Sequence, residues 1–426
     1  MTENTRSHVG DLRGASRLVI EATRGVTALV EAMHVTIASG PALLGRPLAG
    51  AARVTTMPIY RIIRGVMQLV GDSIDLALAP LDPLLGRSAP GIEREAALAV
   101  LNGVLGDHLS ERRNPLAIAM RVRRGGEALE LTPQALRHAL PQASGRLVVL
   151  VHGLCMTDLQ WTRRGHDHGA ALARDLGYTP VYLRYNTGLH ISSNGRELAA
   201  VLEQLVAAWP VTVDDLVIIG HSMGGLVARS ACQVGEDAGH AWRRRLGALI
   251  MLGSPHHGAP LERGGSWIDL VLGKSPYVAP LARLGQIRSA GITDLRFGNV
   301  RDEDWRGRDR FGQVHDHRRP LALPRDVACY AIAGTLAAEA GDRAPGDGLV
   351  PVASALGRHG TAALALAFPD THCAIAAGTG HLDLLGSPTV YATLRSWLSA
   401  RKAGGFDPDH ASDARSGAGS GPPPIT

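Results

Sequence analysis

A serine hydroxyl is a weak nucleophile at neutral pH. A chain that uses one must also supply a base, a carboxylate to orient that base, and donors for the charge that develops on an attacked carbonyl. Ser222 lies in the run LVIIGHSMGG, at the centre of G-x-S-x-G, directly after an apolar, β-branched stretch and directly before LVARSA, which opens a helical pattern. Strand, sharp turn and helix around such a serine make a nucleophile elbow. The hydroxyl is exposed there, and Gly220 and Gly224 stand where a side chain would meet neighbouring backbone. Gly225 lets helix and sheet pack closely. The five-letter pattern alone recurs by chance, and a helix N-cap serine satisfies it too; the strand before and the helix after favour the nucleophile.

Around an elbow of this kind the acid and then the base follow the serine along the chain. His381 lies in GTGHLDLLGSP, a Gly-flanked loop leading into the helical run VYATLRSWL, whereas His372 lies in AFPDTHCA, nearer a strand end. A base that must reach across to another loop suits the Gly-flanked position, so His381 is favoured and His372 is the alternative. Asp347, in PGDGLVPVASA, is favoured as the acid over Asp342 because its Gly/Pro-rich loop follows a strand, although GDG also reads as a simple tight turn. The expected oxyanion donors are the backbone N–H groups of Met223, next to the nucleophile, and of Leu154, after Gly153 in LVVLVHGLC. His152 and His221 read as residues that shape these turns, and Cys155 as packing. The adjacent His256 and His257 of LGSPHHGAPL lack the spacing of a zinc site, and Asp383 reads as a helix N-cap or an ion ligand. No metal and no other cofactor is expected.

The elements that must position these residues alternate. Strands are expected near Leu147 to Val151, Pro180 to Arg184, Leu216 to Ile219, Ala248 to Leu252 and Val327 to Ala333, with helices at Arg196 to Ala208 and Met223 to Val234. Such alternation implies an α/β fold with a mostly parallel central sheet and helices on both faces. Ahead of it, LAIAMRV and ALEL across the Gly-Gly of RRGGE read as an antiparallel pair between Pro115 and Leu131. Residues 258–325 are too long for a connection and read as a cap insertion, with Trp267, Ile268, Leu270, Val271 and Leu272 as an apolar face. Residues 1–92 form an N-terminal helical appendage with segments near Leu18 to Thr36 and Tyr60 to Leu81. In the second of these, Ile63, Met67, Val70 and Ile74 share a face. The catalytic domain is expected over 93–402, followed by a disordered tail at 403–426.

Composition bounds the rest. The 426 residues are 45% hydrophobic and 19% charged, enough for one large core plus an appendage. The net charge of +5 is almost wholly arginine, since Lys274 and Lys402 are the only lysines. These arginines are dispersed among acids without an aromatic-basic stripe, which argues against nucleic-acid binding. Cys155, Cys232, Cys329 and Cys373 are too far apart in sequence for a C-x-x-C cluster and read as thiols. No signal peptide is evident and no apolar run approaches the roughly 18 residues of a spanning helix. The expected location is cytoplasmic, with peripheral membrane contact as the alternative offered by the basic balance and the amphipathic N-terminal segments.

Taken together, HGL at 152–154, GHSMGG at 220–225, GSPHHG at 253–258, GDGLVP at 346–351 and GHLDLL at 380–385 resemble bacterial lipases and esterases of the α/β-hydrolase fold, most of all the GPI inositol-deacylase-like lipases, from about Arg146 to Leu398. The resemblance implies Ser222 as nucleophile, Asp347 as acid, His381 as base, and Leu154 and Met223 as oxyanion donors. It departs after Gly153, where LCMTD lacks the second glycine of the usual HG-x-x-G loop. Similar lipases carry calcium near the HLD motif, for which no full ligand set is found here. The implied activity is hydrolysis of a carboxylic ester or lipid through an acyl-enzyme. The alternatives are acyl transfer, thioester hydrolysis, or a non-catalytic lipid- or partner-binding module.

Overall fold

A computed structural model describes residues 92–259, 289–308, 315–339 and 344–403. The expected N-terminal helices between residues 15 and 90, the apolar face of the cap, the tail beyond 403 and the alternative acid Asp342 lie outside the described residues.

Eight strands form one sheet: β1 (Arg121–Arg124), β2 (Glu127–Ala128), β3 (Arg146–Val151), β4 (Thr179–Arg184), β5 (Asp215–His221), β6 (Leu246–Leu252), β7 (Ala328–Gly334) and β8 (Cys373–Ala376), in the spatial order β2-β1-β4-β3-β5-β6-β7-β8. β1 pairs antiparallel with β2 and with β4, and every other pairing is parallel. The hairpin turns at Gly125 and Gly126, both at positive φ (58° and 81°), a conformation that glycine adopts without a steric cost. The hairpin is shorter than the sequence suggests, because residues 115–120 run outside the strands before β1. Strand order reverses at β3, which has β4 on one side and β5 on the other. Open α/β sheets bind ligands in the crevice outside the carboxyl ends of the strands at such a reversal.

The helices are α1 (Ile92–Glu111), α2 (Pro133–Ala139), α3 (His168–Leu176), α4 (Ile191–Ala208), α5 (Met223–Asp237), α6 (Ala290–Asp294), α7 (Asp302–Trp305), α8 (Val352–Ala355) and α9 (Pro388–Ala403). The central strands β3, β5 and β6 are apolar through their middles because both sheet faces are covered, and successive residues serve opposite faces. Val149, Val151, Ile218 and Leu249 pack with Leu198 and Leu202 of α4 and Leu226 of α5. Val148, Leu150, Val217 and Ile250 pack with Leu172 of α3 and Leu394 and Leu398 of α9 on the other side.

β8 and α1 are among the elements absent from the sequence reading. β8 is four residues, CAIA, too short for a periodic signal. α1 spreads its contacts over several surroundings instead of one stripe: Leu98, Leu105 and Leu109 pack with Leu116 and Ile118, while Val100 joins the sheet core. A Cβ on its Gly103 would come within 2.2 Å of Cys155 Sγ, so the helix backbone rests on the turn after β3. Buried charges tie the same helix to the sheet edge, with Arg123 Nη1 2.8 Å from Asp158 and 3.4 Å from Glu95, and Arg184 Nη2 2.8 Å from Glu95. No helix among the described residues is long and apolar enough to cross a membrane.

Ile218 is fully buried at the middle of β5. Ile218→Ala should lower unfolding stability by about 2–5 kcal/mol, read from the denaturant midpoint, and a loss well under 1 kcal/mol would contradict this packing. Cys155 and Cys232 are buried free thiols that desolvation pushes up to about 12, whereas Cys373 is half-buried. A water-soluble thiol reagent at pH 8 should therefore titrate at most one thiol in the native protein and all four cysteines after denaturation. Fast native reaction of two or more would overturn the burial.

Candidate active site

β5 ends at His221 and α5 begins at Met223, leaving Ser222 alone to turn the chain. It does so at φ 53° and ψ −124°, a region that L residues with a side chain rarely enter. Neighbouring backbone holds it there: Ser222 N–H donates to Leu252 O at the end of β6 (2.8 Å), and Gly225 N–H donates to Ser222 O (3.1 Å). The turn is too crowded for side chains on either flank. A Cβ at Gly220 would stand 2.5 Å from Gly225 Cα, and one at Gly224 would stand 2.2 Å from Val151 O. The elbow thus lies across the carboxyl end of β3, at the strand-order reversal.

Asp347 is 1% exposed, and its two oxygens have separate partners. Oδ1 accepts the N–H groups of Leu349 (3.0 Å) and Val350 (2.8 Å), while Oδ2 lies 2.7 Å from His381 Nδ1. A second bond, from His381 N–H to Asp347 O at 3.0 Å, fixes the two backbones to each other. Because the carboxylate accepts at Nδ1, that nitrogen carries the proton, and in the neutral ring Nε2 is left with a lone pair. The glycine of GSPHHG makes room for the pair: Gly253, at φ +57°, would put a Cβ 3.1 Å from Asp347 Oδ2 and 3.3 Å from His381 Cε1.

Ser222 and His381 line one cleft, together with Leu154, Met156, Pro255 and Leu295. Met223 opens α5, so its N–H has no carbonyl of its own helix to bond, and it sits at the positive end of the helix dipole. The turn carrying Leu154 is pinned around it. Met156 N–H donates to Gly153 O (3.3 Å), and Cys155, at φ 59°, donates its N–H to Thr187 Oγ1 (3.1 Å). These bonds hold the turn, in which Cys155 and not a glycine takes the positive φ.

Two buried histidines hold the turns. His221 Nε2 donates to His381 O (3.0 Å), fastening the elbow to the histidine loop, and burial, followed by the nearby His381, keeps its pKa well below the ordinary value. His152 Nδ1 donates to Gly153 O (2.9 Å), and burial lowers its pKa to about 4. Tyr185 stacks on the His152 ring at 4.5 Å and donates its hydroxyl to His152 O at 2.8 Å. Both rings are therefore neutral at physiological pH.

The alternative base lies elsewhere. His372 Nδ1 is 3.0 Å from Cys329 O, near the start of β7 and so at the amino ends of the parallel strands, opposite Ser222. Asp383 is no N-cap: it sits inside a 3-10 turn, His381–Leu385, and pairs with Arg163 and Arg164, each at 3.1 Å. Among the described residues no group of three or more His, Cys, Asp or Glu side chains is placed to hold a metal. The backbone donors of Leu349 and Val350 and the Thr187 hydroxyl escape sequence reading, since no pattern marks a main-chain donor or a threonine that anchors a distant turn.

Residues 142–308 match the family model described as the PGAP1-like alpha/beta domain, a segment that carries β3 to β6 and the elbow and ends before Asp347 and His381. Among solved structures the chain is similar to the mature lipase BlEst2 of Bacillus licheniformis, with 17% identity and a TM-score of 0.38, covering 60% of this chain and 91% of that one. It is also similar to lipase 1 of Pelosinus fermentans, with 13% identity and a TM-score of 0.38, covering 61% of this chain and 98% of that one. The corresponding figures for the esterase Pf2001 of Pyrococcus furiosus are 13% identity and a TM-score of 0.33, covering 61% and 83%. No curated protein matches the sequence. The mostly parallel sheet, reversed at β3, with a serine elbow after β5 and an aspartate after β7, has the α/β-hydrolase fold, around a segment similar to the PGAP1-like alpha/beta domain.

Proposed function

We propose that this chain hydrolyses carboxylic esters, as a lipase or esterase, through an acyl-enzyme on Ser222. The observation that carries this reading is the buried 2.7 Å bond from His381 Nδ1 to Asp347 Oδ2, which orients an imidazole that shares a cleft with a serine on a strained elbow. In that arrangement His381 Nε2 takes the hydroxyl proton as Ser222 Oγ attacks the ester carbonyl. Asp347 fixes the tautomer and stabilises the imidazolium, and the N–H groups of Leu154 and Met223 receive the oxyanion. Collapse of the tetrahedral intermediate expels the alcohol with the proton from His381. Water, deprotonated by the same ring, then attacks the acyl-enzyme and releases the acid.

The cleft favours an acyl group over a polar one, since Leu154, Met156, Leu295, Leu349, Val350 and Leu382 all line it. A small alcohol or an amine acceptor in place of water would make the same acyl-enzyme serve transfer. The nature of the product therefore separates hydrolysis from acyl transfer, and a thioester substrate tests the third outcome.

Incubation with p-nitrophenyl esters of graded acyl length and a fluorophosphonate probe should give turnover and labelling that both vanish in Ser222→Ala, with its melting temperature retained. Equal labelling of the variant would remove Ser222 as nucleophile. Asp347→Asn keeps the size of the side chain but cannot hold the Nδ1 proton in the same way, so kcat should fall by about 10⁴-fold with KM little changed. A loss of less than tenfold would mean that another group orients His381.

A further inference from the structure

The turn that carries Leu154 is in contact with three other parts of the chain. Toward the elbow, a Cβ on Gly153 would come 3.0 Å from Ser222 Cβ and 3.2 Å from His221 Nδ1. Toward the loop after β4, Cys155 N–H donates to the hydroxyl of Thr187 (3.1 Å), a residue 1% exposed. Toward α1, a Cβ on Gly103 would collide with Cys155 Sγ and come 3.2 Å from Cys155 Cα. The bond from Met156 N–H to Gly153 O, at 3.3 Å, closes residues 153–156 on themselves. A displacement of Cys155 is therefore passed to Leu154, its neighbour inside the same closed turn.

α1 is fixed by bonds that do not involve this turn. The Asn102 carboxamide accepts the Ile118 N–H (2.8 Å) and donates to Leu116 O (2.8 Å). Ser289 Oγ donates to Gly103 O itself (2.6 Å), and Ala290 N–H donates to Asp107 Oδ2 (2.9 Å), so the start of α6 is docked on the same stretch. The loop that carries Thr187 is tied to the helix too, through Asn186 Nδ2 to Gly106 O (2.9 Å). Glycine weakens a helix interior, and at position 103 it leaves bare backbone where the turn is seated. A surface without a side chain has no rotamer to yield, so the helix axis itself sets how near the turn can come.

We propose that α1 positions the oxyanion donor. Gly103 and Thr187 are positioning residues that grip the turn at Cys155 from two sides and so set the Leu154 N–H against Ser222. The proposal rests on the ester chemistry at Ser222 put forward above. It assigns part of that chemistry to a helix that precedes residues 142–308, the segment similar to the PGAP1-like domain. A donor of this kind acts through fixed placement, because its bond strengthens only as charge develops on the attacked oxygen. Its displacement is therefore felt in kcat and not in KM.

The full chain and its variants are compared on a p-nitrophenyl ester, with melting temperatures measured alongside, and with a trifluoromethyl ketone of the same acyl length as inhibitor. Ser222 Oγ adds to the ketone carbon, its proton passes to His381 Nε2, and the carbonyl oxygen becomes the anion that the donors receive. Gly103→Ala should lower kcat by about tenfold or more and weaken the ketone by a similar factor, with KM changed by less than about twofold. The acid limb of kcat/KM against pH should stay in place, since His381 and Asp347 are untouched. In a Cys155→Ala background, where Sγ is gone, the same glycine substitution should cost less than about threefold. Thr187→Val, which keeps the shape and removes the acceptor, should lower kcat by about fivefold or more, and Thr187→Ser should recover most of that loss. This second pair carries the test if Gly103→Ala does not fold. The proposal is overturned if folded Gly103→Ala and Thr187→Val keep kcat and ketone affinity within about twofold of the wild type. It is also overturned if the cost at Gly103 is the same with and without Cys155 Sγ, the result expected of a general disturbance of the fold. A wild type that neither turns over esters nor takes up a fluorophosphonate removes the ester chemistry as well, whereas an active wild type with indifferent variants removes only the role of α1.

Discussion

Everything in the cleft depends on one backbone conformation, the positive φ of Ser222. Holding a non-glycine residue there costs on the order of 1–3 kcal/mol, and nothing local to the turn repays it. The surrounding sheet does. β5 is paired on both sides, to β3 and to β6, and is buried along nearly its whole length, while α5 is buried by its fit against α4 and the sheet. Two rigid elements that must follow each other with one residue between them leave that residue no relaxed alternative. The strain is thus imposed by the core, and it aims a hydroxyl out of the end of the strand.

The second dependence is electrostatic and follows from the dryness of the site. Asp347 is a buried carboxylate that receives two main-chain N–H bonds as well as the His381 proton, so its charge is solvated by fixed dipoles instead of water. His152 and His221, equally buried, have no such counter-charge and stay neutral, where each spends one nitrogen on a main-chain carbonyl. Three histidines close in space therefore differ in role because only one of them faces a carboxylate. Cys155, although next to the cleft, is removed from competition by the same desolvation.

The elbow was legible because its chemistry is local: an apolar strand, a serine between glycines, and a helix all fall within about twenty residues. In the sequence His381 and His372 differ only in their glycine flanks, whereas in the structure they lie at opposite ends of the parallel sheet. Helix α1 escaped notice because Gly103 and Gly106 lower its propensity and its apolar residues serve several neighbours, so no single stripe repeats. β8 escaped because its four residues, CAIA, are too few to carry a periodic signal until β7 is beside them. Asp383 read as a cap because a short acidic residue before a helix usually is one, and only the fold brings Arg163 and Arg164, more than two hundred positions away, to meet it.

The segment similar to the PGAP1-like domain ends at residue 308, with the serine already on its elbow but with Asp347 and His381 still to come. Those two residues lie on connections that follow β7 and β8, the last strands in chain order, and His381 is fastened to the elbow through His221. On the proposed mechanism, Ser222 is therefore synthesised well before the residues that would deprotonate it, and ester cleavage would require the final strands to be in place.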